Sequence, residues 1–424
     1  MALANRLGCL ILVIILGACN RDKVDNVSDS NMVTPEESLS ARAQALAQKF
    51  ILVDTHIDVP YRLESRAADI SERTPDGDFD YVRATQGGLN AAFMSIYTPA
   101  SLQGTGESKV LADKLIDMVE GFEKKWPTRF AIATSVADVR RQFGSGIVSL
   151  PMGMENGAPI EGNLENLTHF YNRGIRYITL THGKANHICD SSYDPERPWA
   201  GLSPFGKEVV REMNRLGIMI DISHVSDEAF YQAIELSTAP IIASHSSCRK
   251  FVPGFERNMD DAMIKRLAEK GGVMMINFGS TFISGKVNQA SNQAREHLEA
   301  HFQEQGWERD SEEAVAYRKA YYQENVGYAD LEDVVAHFDH VIGLVGVDYV
   351  GLGSDYDGVG DSLPTGLKDV SQYPNLIEAF LMRGYSEEDI EKICGGNILR
   401  VWRAVEEEAA RLQAGPVQSG QEAQ

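Results

Sequence analysis

The stretch Ile51-Leu52-Val53-Asp54-Thr55-His56-Ile57-Asp58 reads as an apolar strand that ends in groups able to do chemistry. On extended chain, residues two apart share a side, so His56 and Asp58 are expected to point the same way and to reach one ion together. Seven further apolar runs follow, at 91–96, 147–154, 175–180, 218–222, 240–244, 273–277 and 349–352. Between most of them lie stretches with apolar residues at three- and four-residue intervals, at 109–124, 164–173, 205–216, 227–236, 260–269 and 331–341, and another helical stretch, 39–50, precedes the first run. Apolar strands joined by helices pair in parallel, and eight such units are the count that closes a (β/α)8 TIM barrel. A doubly wound open sheet is the competing fold. Its dinucleotide-binding version lacks support, because no Gly-x-Gly-x-x-Gly follows the first run. Residues 280–326 interrupt the seventh unit with a charged, Gln- and Tyr-bearing insertion expected to be helical, read as a solvated excursion ahead of a lid.

In such a barrel the active site is built from residues just past the carboxyl ends of the strands. Besides His56 and Asp58, the third run ends in Gly153-Met154-Glu155-Asn156-Gly157, the fourth in Thr181-His182, the fifth in Ser223-His224, the sixth in Ser244-His245 and the eighth in Ser354-Asp355-Tyr356-Asp357. Taken singly, a histidine after an apolar strand is more often a hydrogen-bonded core residue than a ligand, and Glu155 could cap a helix. Taken together, four of the ten histidines and three carboxylates occupy equivalent places that only this fold brings together. That coincidence points to a metal site. The other histidines, 169, 187, 297, 301, 337 and 340, fall in helical or loop contexts and read as structural or exposed.

Composition narrows the choices. The 424 residues are globular in composition, with 43% hydrophobic and 24% charged, and 61 acidic against 40 basic residues give a formal charge of −21. Such a surface repels phosphate backbones, so no nucleic-acid partner is expected. Five cysteines, at 9, 19, 189, 248 and 394, are too few and too scattered for a disulfide framework or a thiolate zinc site. Any metal must therefore rely on imidazole and carboxylate, which suits zinc first and manganese, cobalt or iron as alternatives. Three imidazoles and two carboxylates can hold two divalent ions if one carboxylate, Glu155 being the natural choice, bridges them. Water shared between two ions is acidified and becomes a hydroxide nucleophile near neutral pH. No Ser, Cys or Lys nucleophile is then required: Ser203, Ser223 and Ser246 lack a Gly-x-Ser-x-Gly setting.

The amino-terminal segment reads as an address. Arg6, an apolar run from residue 7 to 16 and then Leu16-Gly17-Ala18-Cys19 look like a bacterial lipoprotein signal spanning 1–18. The run is about half of the roughly 20 residues a membrane span requires. Cys19 would carry the lipid, residues 19–38 would form a flexible tether, 39–412 a single barrel domain, and 413–424 a disordered tail. The expected place is the cell envelope, facing the periplasm. Asn20 after the cysteine is compatible with the outer membrane of a Gram-negative cell. Loss of residues 1–18 removes only Arg6, taking the charge from −21 to −22, so the mature surface gives no reason to bind anionic lipid.

The quoted strand ends, with Asp221-Ile222-Ser223-His224-Val225-Ser226, Ser244-His245-Ser246-Ser247, Arg257-Asn258, Gly353-Ser354-Asp355-Tyr356-Asp357-Gly358-Val359 and Asn397-Ile398-Leu399-Arg400-Val401, resemble the membrane (renal) dipeptidase family, metallopeptidase family M19. The likeness runs in order from about residue 45 to 405. It implies a metal-dependent (β/α)8 barrel with two Zn2+ per subunit and a dipeptide substrate. By resemblance, His56 and Asp58 bind one zinc, His224 and His245 the other, and Glu155 bridges them. His182 would contact the substrate carbonyl and its developing oxyanion. Arg257 would grip the terminal carboxylate, a task its planar fork suits, although alone it could equally be a surface salt-bridge partner. Asp355 would relay a proton to the leaving amine and help hold the ammonium group. With only three cysteines after residue 19, a homodimer, if formed, is expected to be non-covalent. The competing enzyme is another binuclear amidohydrolase acting on a cyclic amide or β-lactam, whose members commonly begin with His-x-His where this chain has His-x-Asp. The competing non-enzyme is an envelope lipoprotein that binds metal or peptide.

Overall fold

The computed structural model describes residues 38–415. Ten strands form among them: β1 Leu52–Ile57, β2 Leu89–Tyr97, β3 Phe130–Ile132, β4 Val148–Leu150, β5 Met152–Glu155, β6 Ile175–Thr179, β7 Met219–Asp221, β8 Ile242–Ser246, β9 Val273–Ile276 and β10 Val350–Leu352. β1 pairs with both β2 and β10, and β2 passes through β5, β6, β7, β8 and β9 back to β10, every pairing parallel. That closes an eight-stranded (β/α)8 barrel and rules out the open doubly wound sheet. All eight apolar runs become barrel strands. The third differs in detail, since Pro151 has no N–H to donate to a ladder and divides the run into β4 and β5. β4 then pairs with the short β3, which apolar patterning over three residues could not reveal, and extends the wall beside β2.

Two concentric cores hold the barrel. Inside it Val53, Phe93, Tyr177, Met219, Ile242 and Met275 pack into one cluster, which the carboxy-terminal helix Asn397–Ala414 closes from below through Trp402. The Phe93 and Trp402 rings lie 5.3 Å apart. Asn397 donates its side-chain amide to the carbonyls of Val347 and Val350, and so fixes that helix to the start of β10. Outside, the helices Glu107–Lys125, Pro204–Leu216, Asp227–Leu236, Asp261–Glu269 and Leu331–Val345 lay their apolar stripes on the strands.

The insertion at 280–326 is helical as expected, in three pieces: Ser280–Ile283, Gly285–Gln305 and Glu312–Asn325. Two boundaries shift. Ser38 is the N-cap of helix Leu39–Lys49, its hydroxyl accepting from the Ala41 N–H, so the first helix already claims the last residue assigned to the tether. The last helix also runs two residues past 412, because Val405 and Ala409 continue its buried stripe and Gln413 bonds the Arg215 carbonyl. The signal, Cys19 and the rest of the tether lie outside the described residues. Among those described, no helix is long and apolar enough to cross a membrane.

Candidate active site

The six polar strand ends meet at the carboxyl mouth of the barrel. Extended alternation alone does not bring His56 and Asp58 together: the register of β1 against β2 shifts between Asp54 and Ile57, and Asp58 has left the strand to stand at the N-cap of helix Val59–Ser65. The result is His56 Nε2 3.4 Å from Asp58 Oδ2 and 3.5 Å from Glu155 Oε2. The other ring nitrogen, Nδ1, lies 2.8 Å from the Tyr177 hydroxyl. Tyr177 reaches there because Gly153 has no side chain; a Cβ on it would sit 1.9 Å from the tyrosine ring.

Glu155, at the end of β5, is the centre. Its Oε2 faces His56, while Oε1 lies 3.0 Å from His224 Nε2, 3.3 Å from His245 Nε2 and 3.6 Å from His182 Nε2. Among the described residues no amide or hydroxyl donates to it. Burial alone would raise its pKa, but His182, His56, His224 and His245 outweigh burial and hold it well below the usual carboxylate range. His224 and His245 turn Nε2 to Nε2 at 2.8 Å, and burial with the Arg257 and neighbouring imidazole charges pushes both well below the ordinary histidine value. His56 goes the other way: burial would lower it, but Tyr177, Asp58 and Glu155 raise it well above 6.5.

His224 has φ +71° and Asp355 φ +65°, left-handed backbone that costs non-glycine residues roughly 1–2 kcal/mol each. Such strain persists where the surroundings over-determine it, as at an active site. Behind His245, Nδ1 meets the Ser244 hydroxyl at 2.7 Å, and that hydroxyl donates to Asp221 at 2.6 Å. Asp221 also accepts from the N–H of Ser223 and Ser244 and from the Thr179 hydroxyl. Asp355 is held by the Asn277 side-chain amide, 2.7 Å from Oδ2. Its Oδ1 shares the space over Gly358 with Asp58: a Cβ there would lie 2.3 Å from Asp355 Oδ1 and 2.2 Å from Asp58 Oδ2. Burial, with Asp58 and Glu155 adding repulsion, pushes Asp355 well above the usual carboxylate range, against the opposing pull of His56 and Arg257.

Arg257 is buried, 3% exposed, and pairs with no carboxylate among the described residues. It bonds the Ser246 hydroxyl and the His245 carbonyl and comes within 3.1 Å of His224 Nε2, so the surface salt-bridge reading does not hold. A buried guanidinium without an acid is costly unless an anion arrives. His182 is the more open imidazole, its side chain 24% exposed, edge-on to Tyr97. Above these groups opens a cleft of about 620 Å³, whose other walls include Tyr61, Tyr97, Tyr193 and Phe282.

The donor set fits divalent cations. His56 Nε2, Asp58 Oδ1 and His224 Nδ1 are buried with no hydrogen-bond partner among the described residues, and two imidazole nitrogens converge on one carboxylate oxygen. Three overlapping groups could each hold an ion: His56, Glu155 and His245; Glu155, His182 and His224; His56, Asp58 and Asp355. Glu155 joins the first two and His56 the first and third. The pairing implied by resemblance, His56 with Asp58 and His224 with His245, is therefore one of several divisions the geometry allows, since His245 stacks on His56 at 3.7 Å. When bound, such ions supply Lewis acidity and an acidified water.

Eight predicted residues, His56, Asp58, Glu155, His182, His224, His245, Arg257 and Asp355, are thus brought together; Cys19 lies outside the described residues. Sequence reasoning missed the layer behind them, Asp54, Tyr177, Asp221, Ser244 and Asn277. The available signal was polarity inside buried strands: Tyr177 and Asp221 are both fully buried. The remaining histidines are structural or exposed as read; His337, for one, is buried between the Cys248 N–H and the Ile283 carbonyl. Cys189, Cys248 and Cys394 are buried free thiols.

Comparison with known proteins agrees with this geometry. The chain is 32% identical over 401 residues, 91% of its length and 87% of the relative's, to the uncharacterized dipeptidase C3A11.10c of Schizosaccharomyces pombe. Its fold superposes on the probable dipeptidase PvdM of Pseudomonas aeruginosa with a TM-score of 0.76 at 27% identity, covering 88% of this chain and 99% of that one. It also superposes on a metallopeptidase of Rhodobacter sphaeroides, solved with a phosphinate mimic of the dipeptide L-Ala-D-Ala, with a TM-score of 0.69 at 25% identity over 84% and 99%. The model of the membrane dipeptidase family, peptidase family M19, matches residues 40–416, and with the barrel and its imidazole–carboxylate mouth this places the chain in that family.

Proposed function

We propose that the protein is a zinc dipeptidase that holds two zinc ions and hydrolyses the peptide bond of dipeptides. The observation that carries this reading is Glu155, a buried carboxylate whose two oxygens face different imidazoles and, among the described residues, take no hydrogen bond from amide or hydroxyl. His56, Asp58, Glu155, His224 and His245 would hold the ions, which when bound polarise the scissile carbonyl and supply an activated water.

The chain's own residues position the rest. Arg257, a buried cation with no acid partner among the described residues, takes the substrate carboxylate through its guanidinium fork. His182 Nε2 donates to the oxygen that gains charge as the carbonyl becomes tetrahedral, and its openness to the cleft suits that contact. Asp355, with Oδ2 held by Asn277, keeps Oδ1 free to hold the substrate ammonium and to pass a proton to the leaving amine. A cation at one end and an acid at the other measure length, so dipeptides fit and longer peptides do not. The L-Ala-D-Ala mimic on the Rhodobacter sphaeroides relative supports this substrate class.

The test is a dipeptide panel with metal analysis on protein lacking residues 1–19. Hydrolysis should stop on chelation and return with zinc. No hydrolysis across the panel with two ions verified as bound would make the protein a metal- or peptide-binding lipoprotein instead. For location, the Leu16-Gly17-Ala18-Cys19 stretch supports a lipid on Cys19 and a periplasm-facing place on the outer membrane. Cys19→Ser should release the protein into the soluble fraction; unaltered membrane association would remove that reading.

A further inference from the structure

A second cavity, of about 430 Å³, adjoins the catalytic cleft, and Thr281, Val359, Gly360 and Ser362 belong to the walls of both. Most of its other walls come from the insertion: Val287 on helix Gly285–Gln305, Val315 and Tyr322 on helix Glu312–Asn325, then Val326 and Tyr328. The boundary between the two spaces is mixed, with Val359 and Gly360 beside Thr281 and Ser362. Gly279 lets Phe282, a wall of the cleft, and Val359, a wall of both, close over it; a Cβ on that glycine would lie 2.7 Å from Phe282 Cδ2 and 2.9 Å from Val359 Cγ1. A hollow of this size, mainly apolar but with Arg318, Lys319, Gln323 and Asp361 also on its walls, lies within the usual range of ligand pockets, roughly 300–1,000 Å³. Because the two spaces share four wall residues, a side chain of a molecule bound in the cleft is the nearest group that could enter it.

The end of the substrate that reaches it follows from what stands beside the shared wall. Asp355, assigned to the ammonium group, stands over Gly358, the neighbour of the shared Val359; a Cβ on Gly358 would lie 2.3 Å from Asp355 Oδ1. Arg257, assigned to the carboxylate, stands instead over the Phe282 ring at 5.4 Å, a wall of the cleft and not of the second cavity. The side chain nearest the ammonium belongs to the first residue of a dipeptide. We propose that this cavity receives the first residue's side chain and selects a bulky apolar one, an inference that rests on the dipeptidase reading above. The insertion is then a specificity wall, more than the solvated excursion its composition suggests.

Burying a large apolar side chain is expected to raise kcat/KM on the order of tenfold to a hundredfold over alanine. The measurement is the ratio of kcat/KM for tryptophanyl-glycine to that for alanyl-glycine, using zinc-loaded protein. Val315, on an exposed helix face at 43% exposure, is the place to alter the wall without disturbing the core. Val315→Trp, which fills the cavity, and Val315→Glu, which makes its wall polar, should each bring the ratio down at least fivefold. The ratio of glycyl-tryptophan to glycyl-alanine should hold within twofold. An unchanged first-residue ratio in both variants overturns the proposal, as does a change confined to the second-residue ratio. If wild-type protein cleaves no dipeptide at all, the dipeptidase reading fails separately. Calorimetric binding of tryptophanyl-glycine and alanyl-glycine then decides the cavity: equal affinities, or a difference indifferent to Val315→Trp, overturn it.

Discussion

Among the buried carboxylates at the barrel mouth, two pairs differ in kind. Asp54 and Asp221 line no part of the cleft and are wrapped by the chain: Asp54 accepts from the N–H of His56 and Ser354 and from the Tyr373 hydroxyl, Asp221 from two N–H groups and two hydroxyls. Asp58 and Glu155 line the cleft and accept from no amide or hydroxyl among the described residues; their near neighbours are imidazoles. A carboxylate with its lone pairs filled by fixed donors is part of the framework. One that faces only imidazole nitrogens is complete only with a cation. The first pair holds the imidazoles that face the second, since Asp54 fixes the backbone of His56 and Asp221 fixes Ser244, which in turn meets His245.

That contrast can be broken from either side. Glu155→Gln should produce the largest change, with bound metal falling to one ion or fewer and kcat/KM falling by about a thousandfold; two ions retained by elemental analysis would show that Glu155 does not bridge. Asp221→Asn leaves several buried donors mismatched and should lower the stability of the metal-free protein by about 3 kcal/mol in urea unfolding. A loss below about 1 kcal/mol would put Asp221 outside the framework. Tyr177→Phe removes only the hydroxyl that orients His56 and should weaken metal affinity about tenfold to a hundredfold in chelator competition, the usual cost of losing a partner behind a ligand.

Imidazoles divide the same way, and His337 gives the smallest effect. It is buried, with Nδ1 accepting from the Cys248 N–H and Nε2 donating to the Ile283 carbonyl, and burial pushes it down to about 4 from the usual 6.5. As pH falls below 6.5 the unfolded chain takes up this proton first, so its share of stability is present above 6.5 and is lost on descent toward pH 4. By about pH 5 the loss should be about 2 kcal/mol, read as the difference in pH dependence of urea unfolding between metal-free wild type and His337→Gln. Parallel curves for the two proteins would show that His337 is not held neutral.

The barrel was legible because eight apolar runs and the helices between them repeat one pattern, and the cleft because ionisable residues recur at the ends of those runs. The framework was less so. Asp54 and Asp221 look like the last residues of strands, and nothing in a linear reading separates a carboxylate bound by its own backbone from one that awaits a metal. Tyr177 reads as core until the missing side chain of Gly153 admits its ring. Pro151 punctuates the third run visibly, yet β3, at three residues, is too short to show a period. Left-handed backbone at His224 and Asp355 has no sequence signal of the glycine kind; contacts from several strands impose it.

The terminal helix packs Trp402 beneath Phe93, while the polar groups face the cleft at the opposite mouth of the barrel. If the protein cleaves dipeptides as proposed, reactant and both fragments share that cleft, and a fragment whose carboxylate rests on Arg257 has to depart before another molecule can dock. An enzyme built this way is slowed by its own output, and free amino acids should compete with fresh substrate for the same anchorage.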